Sequence, residues 1–193
     1  MTRLSRRRFV SSVAAAPVIG LAACKPRRPP PVPSCGVELR SRAHARVLKP
    51  EEWDILETAC ARIIPTDADP GATEAGVVNY IDAQLSLSHF AVFQRLFVAG
   101  LRKTDLLARR RTGQPFVKAP PAEQDRVLAE LQRGVPLDRR RDSRQFFQLL
   151  LTFTLEGFLG DPIYGGNRNR VGWRLVGVEP RAPQARCPYR GAG

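Results

Sequence analysis

The stretch FFQLLLTFTLEGFLGDPIYGGNRNRVGWRLVG, residues 146–177, decides how the rest of the chain is organised. Its first half is almost uniformly apolar up to Leu159, and Asp142 and Ser143 just before it carry side-chain oxygens typical of a helix N-cap. A helix without a polar face either lies in a protein core or is covered by a partner. The sequence therefore predicts a long core helix that begins at Asp142 and Ser143 and ends before Gly160.

The second half of this stretch predicts an ordered series of turns. Glycine, proline, aspartate and asparagine dominate it, without the glycine spacing of a phosphate-binding loop or a dinucleotide fold. Tyr164 and Trp173 stand among these turns, together with three arginines. Two interpretations are open. Either the aromatic residues pack back on the body of the protein, or the segment is a recognition surface, since Tyr, Trp and Arg are enriched in interface hot spots.

The sequence EGFLGDPIYGGNRNRVGWRLVG, residues 156–177, resembles the signature of gluconate 2-dehydrogenase subunit 3. This is the small subunit of membrane-bound, flavin-dependent sugar and sugar-acid dehydrogenases. The resemblance extends upstream to PEEWDILETACARIIPTD and GATEAGVVNYID and covers roughly Leu48–Gly177. It implies a non-catalytic accessory subunit that binds the flavoprotein subunit, assists its maturation and carries it through the twin-arginine translocase. It also implies that FAD and haem c lie in partner subunits, the flavoprotein and a multihaem cytochrome c.

Together, the resemblance and the interface-like composition of this segment predict that it contacts the flavoprotein subunit. Within this contact, Trp173 is flanked by the apolar residues Val171 and Leu175, which favours packing on the body of the protein. Tyr164 lies between Pro162 and a glycine pair, which favours recognition of the partner. The six residues expected at the contact are Tyr164, Gly165, Gly166, Asn167, Arg168 and Trp173.

Residues 1–23 are typical of an export signal and are excluded from the fold. A basic start precedes the apolar segment Val10–Ala23, which is too short to span a bilayer core of about 30 Å. The sequence SRRRFV, residues 5–10, resembles the twin-arginine export motif, with Arg6, Arg7 and Phe9 as its expected recognition residues. An ordinary secretory signal with a basic start is the alternative.

The sequence LAAC that ends at Cys24 resembles a lipobox, in which the cysteine thiol receives a diacylglycerol group. Plain cleavage near the same point is the alternative. Residues 24–47 are rich in proline and arginine and predict an extended linker, and residues 179–193 predict a flexible tail. The remaining residues, 48–178, are predicted to form a helical domain. These features predict a periplasmic protein, anchored to the membrane by its lipid or through its complex.

The body of the chain predicts one domain, because 193 residues with 43% hydrophobic content can build one core but hardly two. Helical spacing predicts four further helices, beginning near Pro50, Thr73, Ser88 and Pro121, and no run of strands. The fold class is therefore all-α: a single bundle of about five helices with a glycine-rich ordered loop after the last long helix. Residues expected on the apolar, core-facing sides of these helices are Trp53, Leu56, Cys60, Ile63, Ile64, Val77, Tyr80, Ile81, Leu85, Phe90, Phe93, Phe97, Leu101, Val127, Leu128 and Leu131.

Residues for chemistry are sparse. His44 and His89 lie far apart in sequence and are expected at the surface, and the cysteine spacing fits neither zinc, an iron–sulfur cluster nor c-type haem. The sequence therefore predicts no catalytic, cofactor or metal site in this chain. Glu156 and Asp161 could carry acid/base chemistry in a stand-alone enzyme. The structural alternative is that Asp161 caps the turn and Glu156 binds an arginine or a backbone amide.

Three cysteines, Cys35, Cys60 and Cys187, remain if Cys24 is acylated. An oxidising periplasm permits a disulfide, but the odd number leaves at least one thiol free or paired with another chain. Cys60 lies on the apolar face of its helix and is expected to be a buried thiol.

The formal net charge of +13 would fit binding to nucleic acid or to an anionic membrane surface. No RNP, zinc-finger or helix-turn-helix signature accompanies the basic residues, so nucleic acid is not an expected partner. A basic periplasmic lipoprotein that binds another partner remains the alternative to an accessory subunit.

Overall fold

A computed structural model of the chain describes residues 40–134 and 140–178, all within the compact unit Val32–Gly193. Over these ranges the chain is all-α and without strands, which confirms the predicted fold class. The described residues form six α-helices in one bundle: α1 (Pro50–Ile63), α2 (Val77–Leu85), α3 (Ala91–Thr112), α4 (Pro121–Arg133), α5 (Arg140–Leu159) and α6 (Val171–Leu175). The sixth, α6, is a short helix inside the segment that the sequence predicts as turns.

Two helices begin later than the sequence predicts. The helix expected from about Thr73 begins at Val77, because residues 72–76 form turns that end at Gly76 with φ 67°. This left-handed conformation favours glycine and interrupts a helix. The helix expected from Ser88 begins as a 3₁₀ turn, Ser88–Phe90, and continues as α3.

The prediction that Asp142 and Ser143 cap the last long helix is wrong. The helix α5 begins at Arg140, so Asp142 lies in its first turn and Ser143 is buried. Arginine has a high helix propensity, which lets the helix extend beyond the residues with capping side chains. An acidic residue in the first turn still interacts favourably with the helix dipole.

The start of α1 lacks a side-chain cap from Lys49, but Glu52 supplies half of a capping box. The Lys49 backbone N–H donates to Glu52 Oε2 over 3.0 Å. One terminal backbone group thus finds a partner three residues further along the chain.

The core contains the side chains that helical spacing places there. Most of the expected core residues are buried, and five are half-buried: Ile63, Ile64, Tyr80, Phe90 and Phe93. The helices α3 and α5 meet at Gly100, where any Cβ would collide with the ring of Phe146. Phe97 packs edge-on against Phe146, with ring centroids 5.4 Å apart. Glycine at position 100 therefore allows α5 to reach the centre of the bundle.

Among the described residues, no helix combines the length and the hydropathy that a membrane crossing needs.

Candidate functional site at the carboxyl end of α5

The segment Gly160–Gly177, which we call the signature loop, lies against the carboxyl end of α5. It contains two 3₁₀ turns, Pro162–Tyr164 and Arg168–Arg170, followed by α6. Asp161 Oδ1 accepts a hydrogen bond from the Ile163 backbone N–H over 3.0 Å, which confirms Asp161 as the cap of the first turn. The loop is thus a folded structure with its own internal hydrogen bonds.

The signature loop supplies hydrogen-bond donors to the end of α5. The last carbonyl groups of an α-helix have no partner within the helix. The Asn167 backbone N–H donates to Gly157 O over 2.7 Å, and Trp173 Nε1 donates to Leu159 O over 2.6 Å. Asn167 Nδ2 donates to Gly160 O over 2.8 Å. The loop therefore acts as a tertiary cap for this helix.

Asn167 is the central residue of this cap and is fully buried. Its amide nitrogen donates to Gly160 O, while its Oδ1 accepts from the Gly172 backbone N–H over 2.9 Å. Its backbone has φ 44°, in the left-handed region that asparagine enters more easily than most residues. Asparagine combines this backbone conformation with a short side chain that both donates and accepts, and alanine lacks the second property.

Two glycines let the loop approach the helix backbone closely. A Cβ at Gly166 would collide with the carbonyl oxygen of Gly157, and a Cβ at Gly172 would collide with that of Phe158. The contact is therefore backbone against backbone, and any side chain at either position would push the loop away from α5.

The loop also joins α5 to the turn before α2. The Arg168 backbone N–H donates to Ala75 O over 2.9 Å, and the Arg168 guanidinium lies beside Gly76. Nearby, Tyr80 Oη donates to Glu156 Oε2 over 2.9 Å. The partner predicted for Glu156, an arginine or a backbone amide, is therefore wrong, because a hydroxyl from α2 occupies this place.

The six residues expected at the partner contact do not share one environment. Gly165, Gly166 and Asn167 are buried in the loop, Tyr164 and Trp173 are half-buried, and Arg168 is exposed. The buried three shape the loop, so the surface that a partner could touch here consists of Tyr164, Arg168 and Trp173.

Sequence reasoning missed a set of exposed aliphatic side chains on α5, at the end of α6 and directly after α6; the two helices pack together. The available signal was the apolar run itself, which leaves some aliphatic residues outside once one face of α5 fills the core. We call the set the aliphatic surface; its members are Leu155, Leu159, Leu175, Val176 and Val178, with exposed fractions of 41–54%.

Cys60 confirms the prediction of a buried thiol. Its Sγ lies 3.3 Å from Thr154 Oγ1 on α5, and burial raises the pKa of the thiol to about 12. Such a thiol stays protonated and unreactive at neutral pH. The other residues singled out for export, lipidation or disulfide formation lie outside the described residues: Arg6, Arg7, Phe9, Cys24, Cys35 and Cys187.

The acids of the site already have structural partners. Glu156 accepts from Tyr80 and Asp161 accepts from its own turn, as described above. His44 and His89 are exposed, as expected. In the ranges 40–134 and 140–178, no three His, Cys, Asp or Glu side chains are grouped so that they could hold a metal ion. What the arrangement offers chemically is a rigid surface with aromatic, cationic and aliphatic groups.

A family model described as gluconate 2-dehydrogenase subunit 3 matches residues 50–180. The chain belongs to this family. The match spans the fold from α1 to α6, and the signature loop lies inside it. The subunit 3 family implies a small subunit of a gluconate 2-dehydrogenase complex, with the other subunits of that complex as partners. No curated protein and no solved structure matches the chain.

The capping role of Asn167 can be separated from its backbone conformation. We expect Asn167→Ala to lower the free energy of unfolding by about 3 kcal/mol, because Gly160 O and Gly172 N–H both lose their buried partner. The measurement is denaturant unfolding of the full chain.

Asn169→Ala is the matched control, since Asn169 also has a positive φ of 55° but is exposed. We expect this control to lose about 1 kcal/mol, the cost of placing alanine in the left-handed region. Equal losses in the two variants would contradict a capping role for the Asn167 side chain.

Proposed function

We propose that this chain is the non-catalytic accessory subunit of a periplasmic, FAD-dependent sugar or sugar-acid dehydrogenase complex. It binds the flavoprotein subunit, assists its maturation and accompanies it through the twin-arginine translocase. The match to the subunit 3 family over residues 50–180 carries this proposal. FAD belongs to the flavoprotein and haem c to a cytochrome subunit, and acylation of Cys24 would keep the chain at the membrane.

The composition of the signature loop supports a role in partner binding. Aromatic residues and arginine are enriched in interfaces, and the loop supplies both types in Tyr164, Arg168 and Trp173. The aliphatic surface adds to the apolar area available to a partner. Large exposed apolar areas mark interaction sites in soluble proteins.

The rigidity of the loop supports the same role. Its backbone is fixed by Asn167 and by the hydrogen bond from Trp173 to α5. A surface that is already ordered in the free subunit loses little conformational entropy when a partner binds. The loop is therefore suited to act as a preformed template for the flavoprotein.

The two aromatic residues of the loop are expected to respond differently to truncation. Trp173→Ala removes the Nε1 donor to Leu159 O and a half-buried ring, so we expect a loss of about 3 kcal/mol in unfolding free energy. Tyr164→Ala should weaken binding to the flavoprotein by about 2 kcal/mol, roughly thirtyfold, while lowering the melting temperature much less than Trp173→Ala does.

Calorimetry of the free variants and co-purification with the flavoprotein measure the two effects. Leu106→Ala is the control, because Leu106 is an exposed aliphatic residue on α3, outside the loop. Normal partner binding by Tyr164→Ala would remove the signature loop from the contact surface.

Joint export is tested in the leader. Arg6→Lys with Arg7→Lys keeps both charges but removes the planar guanidinium groups, so we expect this chain and a signal-less flavoprotein partner to stay in the cytoplasm. Dehydrogenase activity in the periplasmic fraction is the measurement.

Arg3→Lys with Arg8→Lys makes the same chemical change outside the central pair and should leave export intact. Normal periplasmic activity in the Arg6/Arg7 variant would show that the flavoprotein crosses the membrane without this signal.

A further inference from the structure

A groove with a volume of about 530 Å³ lies between α3 and the segment that enters α1, and none of its residues belongs to the signature loop. One wall comes from residues 46–52 and the other from residues 94–102. The two walls together carry four cationic side chains and a single carboxylate, that of Glu52. The cationic residues are Arg46, Lys49, Arg95 and Arg102.

The wall that precedes α1 is held in place by Asp82 of α2, a fully buried residue. Its carboxylate accepts the backbone N–H groups of Arg46, Val47 and Leu48 over 2.7, 3.0 and 3.1 Å. Three hydrogen bonds to one carboxylate fix the backbone of this wall. The exposed side chain of Lys49 therefore extends from an ordered segment.

The carboxylate of Glu52 repels an anion in the groove only weakly, because each of its oxygens already has a partner. Oε2 accepts the Lys49 backbone N–H over 3.0 Å, and Oε1 pairs with Arg102 Nη2 over 2.9 Å. Glu52 is only 4% exposed, so its buried carboxylate orients the Arg102 guanidinium. Two further cations of the lining, Lys49 and Arg95, make no ion pair with a carboxylate of the described residues.

Arg95 is one of the cations accessible to a ligand. It is exposed on α3 and makes no ion pair with the described residues. The apolar residues Val98 and Ala99 lie one turn further along the same helix and line the groove as well. The groove thus combines a strongly positive rim with an apolar wall.

We propose that this groove binds a phosphate group, a role that goes beyond the proposed accessory function. Guanidinium groups match phosphate oxygens with paired hydrogen bonds, and an ammonium group such as that of Lys49 adds a further donor. A phosphate group can neutralise more of this excess positive charge than a single carboxylate can. The ligand is either a soluble phosphate compound or the headgroup of an anionic phospholipid, which share this chemistry.

Calorimetric titration of the full chain with inorganic phosphate at low ionic strength tests the site, since salt screens such exposed charges. We expect saturable binding that Arg95→Gln and Lys49→Gln each weaken roughly tenfold. Arg110→Gln is the matched control, because Arg110 is also exposed on α3 but does not line the groove. It removes the same charge and should leave phosphate binding unchanged.

A second arm identifies the source of the phosphate, using vesicles of phosphatidylcholine and phosphatidylglycerol in equal amounts. The leader is common to all variants, so only differences between them report on the groove. Vesicle binding that depends on Arg95 and is inhibited by inorganic phosphate supports a lipid headgroup. Phosphate binding that depends on Arg95, without such an effect on vesicles, supports a soluble ligand.

Two results would overturn the proposal. The first is that Arg95→Gln and Arg110→Gln behave alike with both probes. The second is that gluconate or poly-glutamate binds in an Arg95-dependent way while phosphate does not, which would assign the groove to a carboxylate or to an acidic protein segment.

Discussion

The carboxyl end of α5 leaves carbonyl groups that need donors, and the signature loop adopts its conformation by supplying them. Asn167 and Trp173 provide side-chain donors, and the glycines at 166 and 172 allow the backbone contact that brings these donors into range. The Arg168 backbone N–H also binds the turn before α2. One set of hydrogen bonds therefore connects the end of α5, the signature loop and that turn. The shape of the surface at this end of the molecule depends on that connection.

This arrangement explains how a chain with few candidate catalytic residues can serve an enzyme complex. The two acids near the loop have structural roles: Glu156 accepts a hydrogen bond from Tyr80, and Asp161 caps a turn. The groups left at the surface are aromatic, cationic and aliphatic, which is the composition of an interface. The cationic groove is ordered in a similar way, because the buried carboxylates of Asp82 and Glu52 bind the backbone of the wall that precedes α1. In both places a buried polar side chain positions surface groups that have no role in the core.

The sequence was sufficient to predict what depends on local pattern. Helical spacing identified α1, α4 and most core positions, and the glycine-rich composition identified an ordered loop. Contacts between distant parts of the chain were not predictable in this way. The capping of α5 by Asn167 requires the loop to fold back, and the Tyr80–Glu156 bond joins residues 76 positions apart. The groove escaped notice for the same reason, because its two walls are separated along the chain by α2.

We propose that the carboxyl end of α5 and the signature loop form the face that meets the flavoprotein. Hydrogen–deuterium exchange of the full chain, alone and in complex with the flavoprotein subunit, tests it most directly. We expect added protection in the complex to be concentrated in residues 155–178, with the outer face of α4 unchanged. Added protection on α4, with exchange in the signature loop unaltered, would contradict it.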